Sequence, residues 1–189
     1  MTPIPLFRDR QEAGQQLAQA VVAEMATLNQ SELTAPPIVY ALPKGGLPVA
    51  LPLSQLLNCP LDVIVAKKVT RPDNPELAIG AVTADGHIIR SRQACFTRYN
   101  SSSWRSALEI AHDKATSQYA EFAPYCPKVD PNGAIALLVD DGIATGMTMA
   151  VAARALQAKL PAVVLICAPV APQRLVRVLR HWCDRIVIW

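Results

Sequence analysis

The sequence predicts an α/β protein with a doubly wound, mostly parallel five-stranded sheet, flanking helices and a small antiparallel addition. Three observations support this fold class. Short apolar runs alternate with segments of helical periodicity, the order that gives parallel strands joined by crossover helices. Residues 135–139 are apolar throughout, as in a strand covered on both faces. Asp85-Gly86 is a strong hairpin signal and predicts the antiparallel part.

The first half of the chain is predicted to open with an amphipathic helix over 10–28, because Ala13, Leu17, Val21 and Met25 recur at helical spacing. The elements that follow are a strand at 37–42, a helix at 47–57 with Pro48 in its first turn, and a strand at 61–66. Turn-forming residues over 70–75 then predict a mobile loop.

The second half continues the same alternation. Two short strands at 79–83 and 87–89 flank the Asp85-Gly86 turn, and Ser103 is a plausible cap for a helix over 103–122. A Pro-rich stretch leads into the 135–139 strand. The remaining predicted elements are a helix at 146–159, a strand at 162–167, a helix at 172–181 and a strand at 185–188.

Length and composition predict one compact domain over residues 1–189, because half of the residues are hydrophobic and only 17% are charged. A net charge of +3 from scattered basic residues argues against a nucleic-acid surface. The longest apolar stretches fall short of a bilayer span, and the first eleven residues lack a signal core, so no membrane association and a cytoplasmic location are expected. The five cysteines have no zinc-ligand spacing.

The most informative segment is the end of the 135–139 strand, where Asp140 and Asp141 stand at the edge at which open α/β sheets bind ligands. Two adjacent carboxylates suit vicinal hydroxyls or a divalent cation and repel anions. The alternative is that they simply cap the start of a helix.

The loop that follows is typical of a phosphate-binding turn. Gly142 and Gly146 leave room for an anion, and Thr145 and Thr148 add hydroxyl donors to the free N–H groups of a helix start. A helix N-terminus favours a phosphate without any Lys or Arg in the loop. A sugar phosphate satisfies both the carboxylates and this turn.

Two further segments carry candidate site residues. Residues 41–48 form another glycine turn after a strand, which could equally be an ordinary strand-to-helix connection. Lys67, Lys68 and Arg71 place three cations at the end of a predicted strand, where a solvated surface would look the same.

Residues 137–148 closely resemble the phosphoribosyl-pyrophosphate motif of the type I phosphoribosyltransferases: an apolar strand, two acidic residues, then Thr-Gly-x-Thr. Neither a Walker P-loop ending nor a dinucleotide Gly-x-Gly-x-x-Gly turn is present. The resemblance extends to bacterial phosphoribosyltransferase-like proteins of undefined substrate, through residues 7–10, 13–14, 41–46 and 74–82. In that group Arg is more usual than Lys at positions 44 and 67, and the loss of Arg removes bidentate phosphate contact.

The resemblance implies a role for each matching segment. Asp140 and Asp141 would bind the ribose hydroxyls and, through water, Mg²⁺, the implied cofactor. Lys67, Lys68 and Arg71 would be the catalytic cations. The 5′-phosphate would lie on Gly142, Ile143, Ala144, Thr145, Gly146, Met147 and Thr148. Pyrophosphate would lie on Leu42, Pro43, Lys44, Gly45 and Gly46, a loop that often has an unusual peptide geometry in this family.

The implied activity is transfer of phosphoribosyl from phosphoribosyl pyrophosphate to a nitrogenous acceptor, with a nucleobase as the first candidate. Enzymes for 6-oxopurines carry an acid at the place of Ala144, so this residue argues against a 6-oxopurine without selecting another acceptor. Related enzymes are commonly dimers, which leaves a homodimer as an open alternative.

A non-catalytic module that senses phosphoribosyl pyrophosphate or a nucleotide is the alternative function. Members of the bacterial group usually continue past the last strand into an aromatic-rich tail, whereas the sequence stops at Trp189, and this favours the sensor. The cations at 67, 68 and 71 favour the enzyme, because a sensor need not stabilise departing pyrophosphate.

Overall fold

The computed structural model describes residues 6–28, 35–71, 73–91 and 101–189, without the side chains of residues 76 and 101. Pro72 of the predicted loop and Cys95 lie outside these residues. In the described part, no helix is long and apolar enough to cross a membrane.

The main sheet has five parallel strands in the order β2-β1-β6-β7-β8. Its strands are β1 (Ile38–Ala41), β2 (Leu61–Val63), β6 (Ile135–Val139), β7 (Val163–Ala168) and β8 (Arg185–Ile188). The central strand β6 is fully buried because it has a neighbour on each side and helices on both faces. The predicted fold class, including the parallel five-stranded sheet, is confirmed.

Helices cover both faces of this sheet. On one face lie α1 (Arg10–Met25) and α2 (Gly46–Leu57), whose buried residues pack with one set of strand side chains. On the other face lie α4 (Met147–Gln157) and α5 (Gln173–Leu179), which pack against the alternate set. Since successive strand residues point to opposite faces, each strand supplies both layers of the core.

The small sheet differs from the prediction. It has three antiparallel strands, β3 (Ala66–Arg71), β4 (Asn74–Thr83) and β5 (Ile88–Arg90), where two strands were predicted. The predicted strand at 61–66 ends at Val63, and most of the predicted mobile loop is strand. The charged and turn-forming residues near position 72 mark the tip of a hairpin, where Arg71 pairs with Asn74.

Helix α3 (Ser101–Phe122) covers the outer face of the small sheet and begins two residues before the predicted start. Trp104 and Ala111 of this helix pack with Val69 and Val82 of the hairpin. The other face of the hairpin joins the core around α4 through Ala81. The small sheet is therefore held between α3 and the main domain.

We predict that Gly14→Ala destabilises the fold although alanine is the better helix former by about 1 kcal/mol. Helices α1 and α2 cross so closely that a Cβ on Gly14 would lie 2.5 Å from the Val49 carbonyl oxygen and 2.9 Å from its Cα. Such overpacking costs about 1–3 kcal/mol. Thermal unfolding of the variant should occur several degrees below that of the wild type. Gln15→Ala, an exposed position on the same helix, is the control and should unfold no earlier than the wild type.

Candidate active site at the carboxyl ends of β1 and β6

The loops after β1 and β6 leave the sheet in opposite directions. The chain after β1 enters α2 on one face, and the chain after β6 enters α4 on the other, although the two strands are paired neighbours. Such a reversal leaves a crevice outside the carboxyl ends of the strands, the usual ligand site of open α/β sheets. The predicted acidic motif and the 42–46 loop border this crevice.

The two aspartates have different environments. The Asp140 N–H donates to the Cys167 carbonyl at 3.3 Å, which prolongs the pairing of β6 with β7. One Asp140 carboxylate oxygen accepts the Asp141 N–H at 2.9 Å. Asp141 Oδ2 accepts from Nε of Arg10, at 2.8 Å, to form an ion pair. Arg10 therefore belongs to the site.

The Asp140 carboxyl is difficult to ionise. Burial and then the neighbouring Asp141 raise its pKa from 3.8 to about 7, against the hydrogen bond from the Asp141 backbone. An anionic Asp140 is only partly solvated and is repelled by the neighbouring Asp141 carboxylate. A hydroxyl donor or a cation placed in the crevice would supply what is missing.

The loop after the aspartates forms the open end of α4. Gly146 precedes the helix with φ +75°, a conformation that a residue with a Cβ adopts at a cost. Ala150 is the first residue of the turn with a helical N–H bond, to the Gly146 carbonyl at 2.8 Å. No side chain in the described part of the chain caps this helix, which argues against the reading of Asp140-Asp141 as a cap. The N–H groups of the first helical turn, ahead of Ala150, suit a phosphate. The predicted role of the Ile143 N–H is not supported, because this group donates to the Val170 carbonyl at 3.0 Å.

The 42–46 loop packs directly against the acidic motif. The Leu42 N–H donates to the Val139 carbonyl at 2.9 Å, and a Cβ on Gly45 would lie 2.6 Å from Cγ of Asp141. Only glycine permits this approach without displacement of the carboxylate. The peptide bond between Pro43 and Lys44 is cis, the unusual geometry expected of this segment.

The three candidate cations have different locations. Lys67 lies in one cleft with Lys44. Burial and then the nearby Lys114 and Lys44 ammonium groups lower the pKa of Lys67. Lys68, next along the strand, points to the opposite face of the hairpin and is exposed. The Arg71 guanidinium pairs with Asp73, with Nε to Oδ1 at 2.9 Å. The structure thus joins Lys67, but neither Lys68 nor Arg71, to the 42–46 loop.

Sequence reasoning missed three charged residues near the crevice. Arg10 pairs with an aspartate 131 positions away, and Lys114 and Glu121 come from α3. Arg10 lies in residues 7–10, which carry part of the family resemblance, and this resemblance is the sequence signal that could have identified it as a site residue. Lys114 and Glu121 lie in an ordinary amphipathic helix and carry no such signal.

The chain has the architecture of a doubly wound α/β domain. Its glycine-lined crevice lies at the point where the strand order of the sheet reverses. Residues 9–189 match the family described as the phosphoribosyl transferase domain. The chain belongs to this family.

Individual relatives agree with the family. A Mycobacterium tuberculosis protein named "Putative phosphoribosyl transferase Rv0571c" is 33% identical over 183 residues, which are 96% of this chain. The chain spans about 40% of the length of that curated relative. The crystal structure of TT1426 from Thermus thermophilus is 32% identical, with a TM-score of 0.75 over 96% of this chain and 83% of that one. The AQ2163 protein from Aquifex aeolicus, 14% identical, shares the fold with a TM-score of 0.55 over 95% of this chain and 72% of that one.

We predict that Asp140→Asn stabilises the protein at alkaline pH. The substitution keeps the acceptor for the Asp141 N–H and removes the buried charge. Because the folded-state pKa of Asp140 lies above its unfolded value, its contribution is favourable at about pH 4 and is lost as the pH rises through about 7. The variant should melt above the wild type at pH 8, by about 2–4 °C for each kcal/mol, and close to the wild type at pH 4.

Asp130→Asn is the matched control, because Asp130 also accepts a backbone N–H but is exposed. This control should melt with the wild type at pH 8. A lower melting temperature for Asp140→Asn at pH 8 would contradict burial as the cause of the raised pKa.

Proposed function

We propose that the chain transfers phosphoribosyl from phosphoribosyl pyrophosphate to a nitrogenous acceptor and releases pyrophosphate. The observation that carries the proposal is the meeting of three features at one crevice: the Asp140-Asp141 pair, the uncapped start of α4, and the Gly45 contact between the 42–46 loop and Asp141. A sugar with vicinal hydroxyls, a 5′-phosphate and a diphosphate has groups complementary to all three. Family membership supports the same reaction class.

In this proposal the aspartates bind the ribose. The 2′- and 3′-hydroxyls donate to Asp140 and Asp141, and the Arg10 ion pair fixes the Asp141 carboxylate. The 5′-phosphate accepts from the hydroxyls of Thr145 and Thr148 and from N–H groups of the 142–148 loop other than that of Ile143, which already donates to the Val170 carbonyl at 3.0 Å. These residues hold the anomeric carbon in place and form no covalent intermediate with it.

The residues of the crevice fit a bound Mg²⁺. In the described residues, no group of three or more His, Cys, Asp or Glu side chains could hold a metal. What the crevice offers is the adjacent pair Asp140 and Asp141. Two carboxylates are enough, because Mg²⁺ usually binds one or two protein carboxylates and takes its other ligands from water and substrate phosphates. When bound, the ion would neutralise charge on the leaving diphosphate.

The 42–46 loop and Lys67 would bind the departing diphosphate. Positive charge develops on the ribose ring as the bond to pyrophosphate lengthens, while negative charge collects on the leaving group. In this proposal Lys44 and Lys67, which share one cleft, meet that negative charge. The two remaining candidates, Lys68 and Arg71, stay predictions without a described contact to the loop.

The acceptor would approach from the other side of the acidic motif. An open cavity of about 610 Å³ is lined there by Ile143, Ala144, Val170 and Trp189, among other apolar residues. A flat nitrogen heterocycle fits such walls. Ala144 is exposed at this edge and supplies no carboxylate for a 6-oxopurine, and this residue selects no other acceptor.

The test of the reaction is a pyrophosphate-release assay with the pure protein, Mg²⁺, phosphoribosyl pyrophosphate and a panel of nucleobases. We predict turnover with at least one base and its loss when Mg²⁺ is chelated. Binding of phosphoribosyl pyrophosphate without turnover would favour the sensor, and absence of binding would contradict both the enzyme and the sensor.

The double variant Asp140→Asn, Asp141→Asn should weaken donor binding by about tenfold or more in calorimetry, as expected for lost charge-assisted hydrogen bonds.

We also predict that Thr148→Val weakens binding of ribose 5-phosphate by about tenfold, because one hydroxyl donor to a charged group is lost. Thr116→Val, at an exposed position on α3, is the control and should bind as the wild type does. Calorimetry measures the affinity and thermal unfolding measures the fold. If Thr148→Val changed only the melting temperature, the hydroxyl would serve the helix and not the ligand.

A further inference from the structure

A cleft of about 460 Å³ lies between the 42–46 loop, β3 and α3. Three lysines from three separate elements line it: Lys44 from the loop, Lys67 from β3 and Lys114 from α3. Two acidic residues of α3, Asp113 and Glu121, complete the charged lining, together with Ser117 and Gln118. The amines therefore outnumber the carboxylates.

Helix α3 presents one of its faces to the cleft. Lys114, Ser117, Gln118 and Glu121 recur at intervals of three and four residues, so they lie along one side of the helix. At one end of this row, Glu121 Oε2 lies 3.3 Å from Nζ of Lys44 in an exposed ion pair. No ion pair of Lys67 or Lys114 is found within the part of the chain that the structure describes.

This lining is poorly suited to a purely structural role. Lys67 is partly buried, and its burial followed by the Lys114 and Lys44 charges lowers the pKa of its ammonium group. An exposed ion pair such as that of Lys44 with Glu121 contributes little to stability. Three lysines from separate elements that converge on one cleft, one of them partly buried and another held by an exposed ion pair, are typical of a site for a polyanion.

We infer that Lys114 is a third diphosphate-binding amine and that Glu121 is a latch that holds Lys44 until the diphosphate arrives. In the free protein Lys44 pairs with Glu121. When a diphosphate enters the cleft, Lys44 exchanges the carboxylate for phosphate oxygens, and Lys67 and Lys114 bind the same group. This inference rests on the proposed function, and it extends the leaving-group site from the loop and hairpin to α3.

The latch and the third amine have separate signatures. Removal of Lys114 takes away an attraction, so affinity for diphosphate should fall. Removal of the Glu121 charge takes away both a competitor for Lys44 and a repulsion, so affinity should rise. A mere surface network predicts neither the increase nor a dependence of the Glu121 effect on Lys44.

The experiment is calorimetry on the whole chain with two probes, magnesium pyrophosphate and ribose 5-phosphate. Lys114→Gln should weaken pyrophosphate binding by about tenfold, the value of one charge-assisted hydrogen bond, and leave ribose 5-phosphate binding unchanged. Glu121→Gln should strengthen pyrophosphate binding severalfold, and the gain should be clearly smaller in a Lys44→Gln background, as a double-mutant cycle measures. Lys128→Gln, an exposed lysine outside the cleft, is the matched control.

Thermal unfolding distinguishes an effect of a substitution on binding from an effect on the stability of the fold. Because Lys114 lies among like charges, Lys114→Gln should melt no lower than the wild type. Equal effects of Lys114→Gln and Lys128→Gln on pyrophosphate binding, weaker binding by Glu121→Gln, or no pyrophosphate binding by the wild type would each overturn the inference.

The outcome is also independent of the transfer assay. If the protein turned over no base but Lys114→Gln selectively lost pyrophosphate binding, the inference about the cleft would be supported and the proposed transferase activity would be contradicted. If the wild type turned over a base but Lys114→Gln bound pyrophosphate normally, the transferase proposal would be supported and the inference about Lys114 would be contradicted.

Discussion

The reversal of direction between β1 and β6 is the constraint on which the candidate site depends. These neighbouring strands are paired from Ile38 with Ala136 to Ala41 with Val139, so their carboxyl ends lie side by side. Their connections then leave to opposite faces, because α2 and α4 belong to different layers of the core. Had both helices packed on one face, their first turns would cover the strand ends. The crevice is thus a consequence of topology, and the loop residues determine what it binds.

The sequence indicated this edge well because the relevant signals are local. An apolar run that ends in two carboxylates, and a glycine turn after another strand, can each be read without knowledge of the fold. The rule that parallel strands end at one edge then brings both segments together. The small sheet was harder to predict, since β3 carries Lys67, Lys68 and Arg71 and resembles a loop by composition. Its strand geometry comes from pairing with β4, which is a tertiary effect.

Contacts between distant segments were beyond prediction. The Arg10 pair with Asp141 spans 131 positions, and the contribution of α3 depends on how that helix packs over the hairpin. That Lys67 and Lys68 lie on opposite faces of the hairpin could be predicted only once their segment was known to be a strand, because adjacent residues of a loop have no fixed faces. Periodicity identifies a helix but not the element opposite each of its faces.

The two partly buried charges beside the 42–46 loop, those of Asp140 and Lys67, do not neutralise each other. Asp140 has a raised pKa and Lys67 a lowered one, and burial is the first cause of both. An ion pair between a carboxylate and an amine would relieve both, yet the amines lie around Lys44 and Glu121, while the aspartates lie against Gly45 and Arg10. The 42–46 loop separates the two groups. In the proposed function the ribose hydroxyls meet the carboxylates and the diphosphate meets the amines, so the donor itself supplies the missing partners of both. The cost of keeping the Asp140 and Lys67 charges apart in the free protein is then recovered as binding free energy, and the recovery is greatest when both ends of the donor are present.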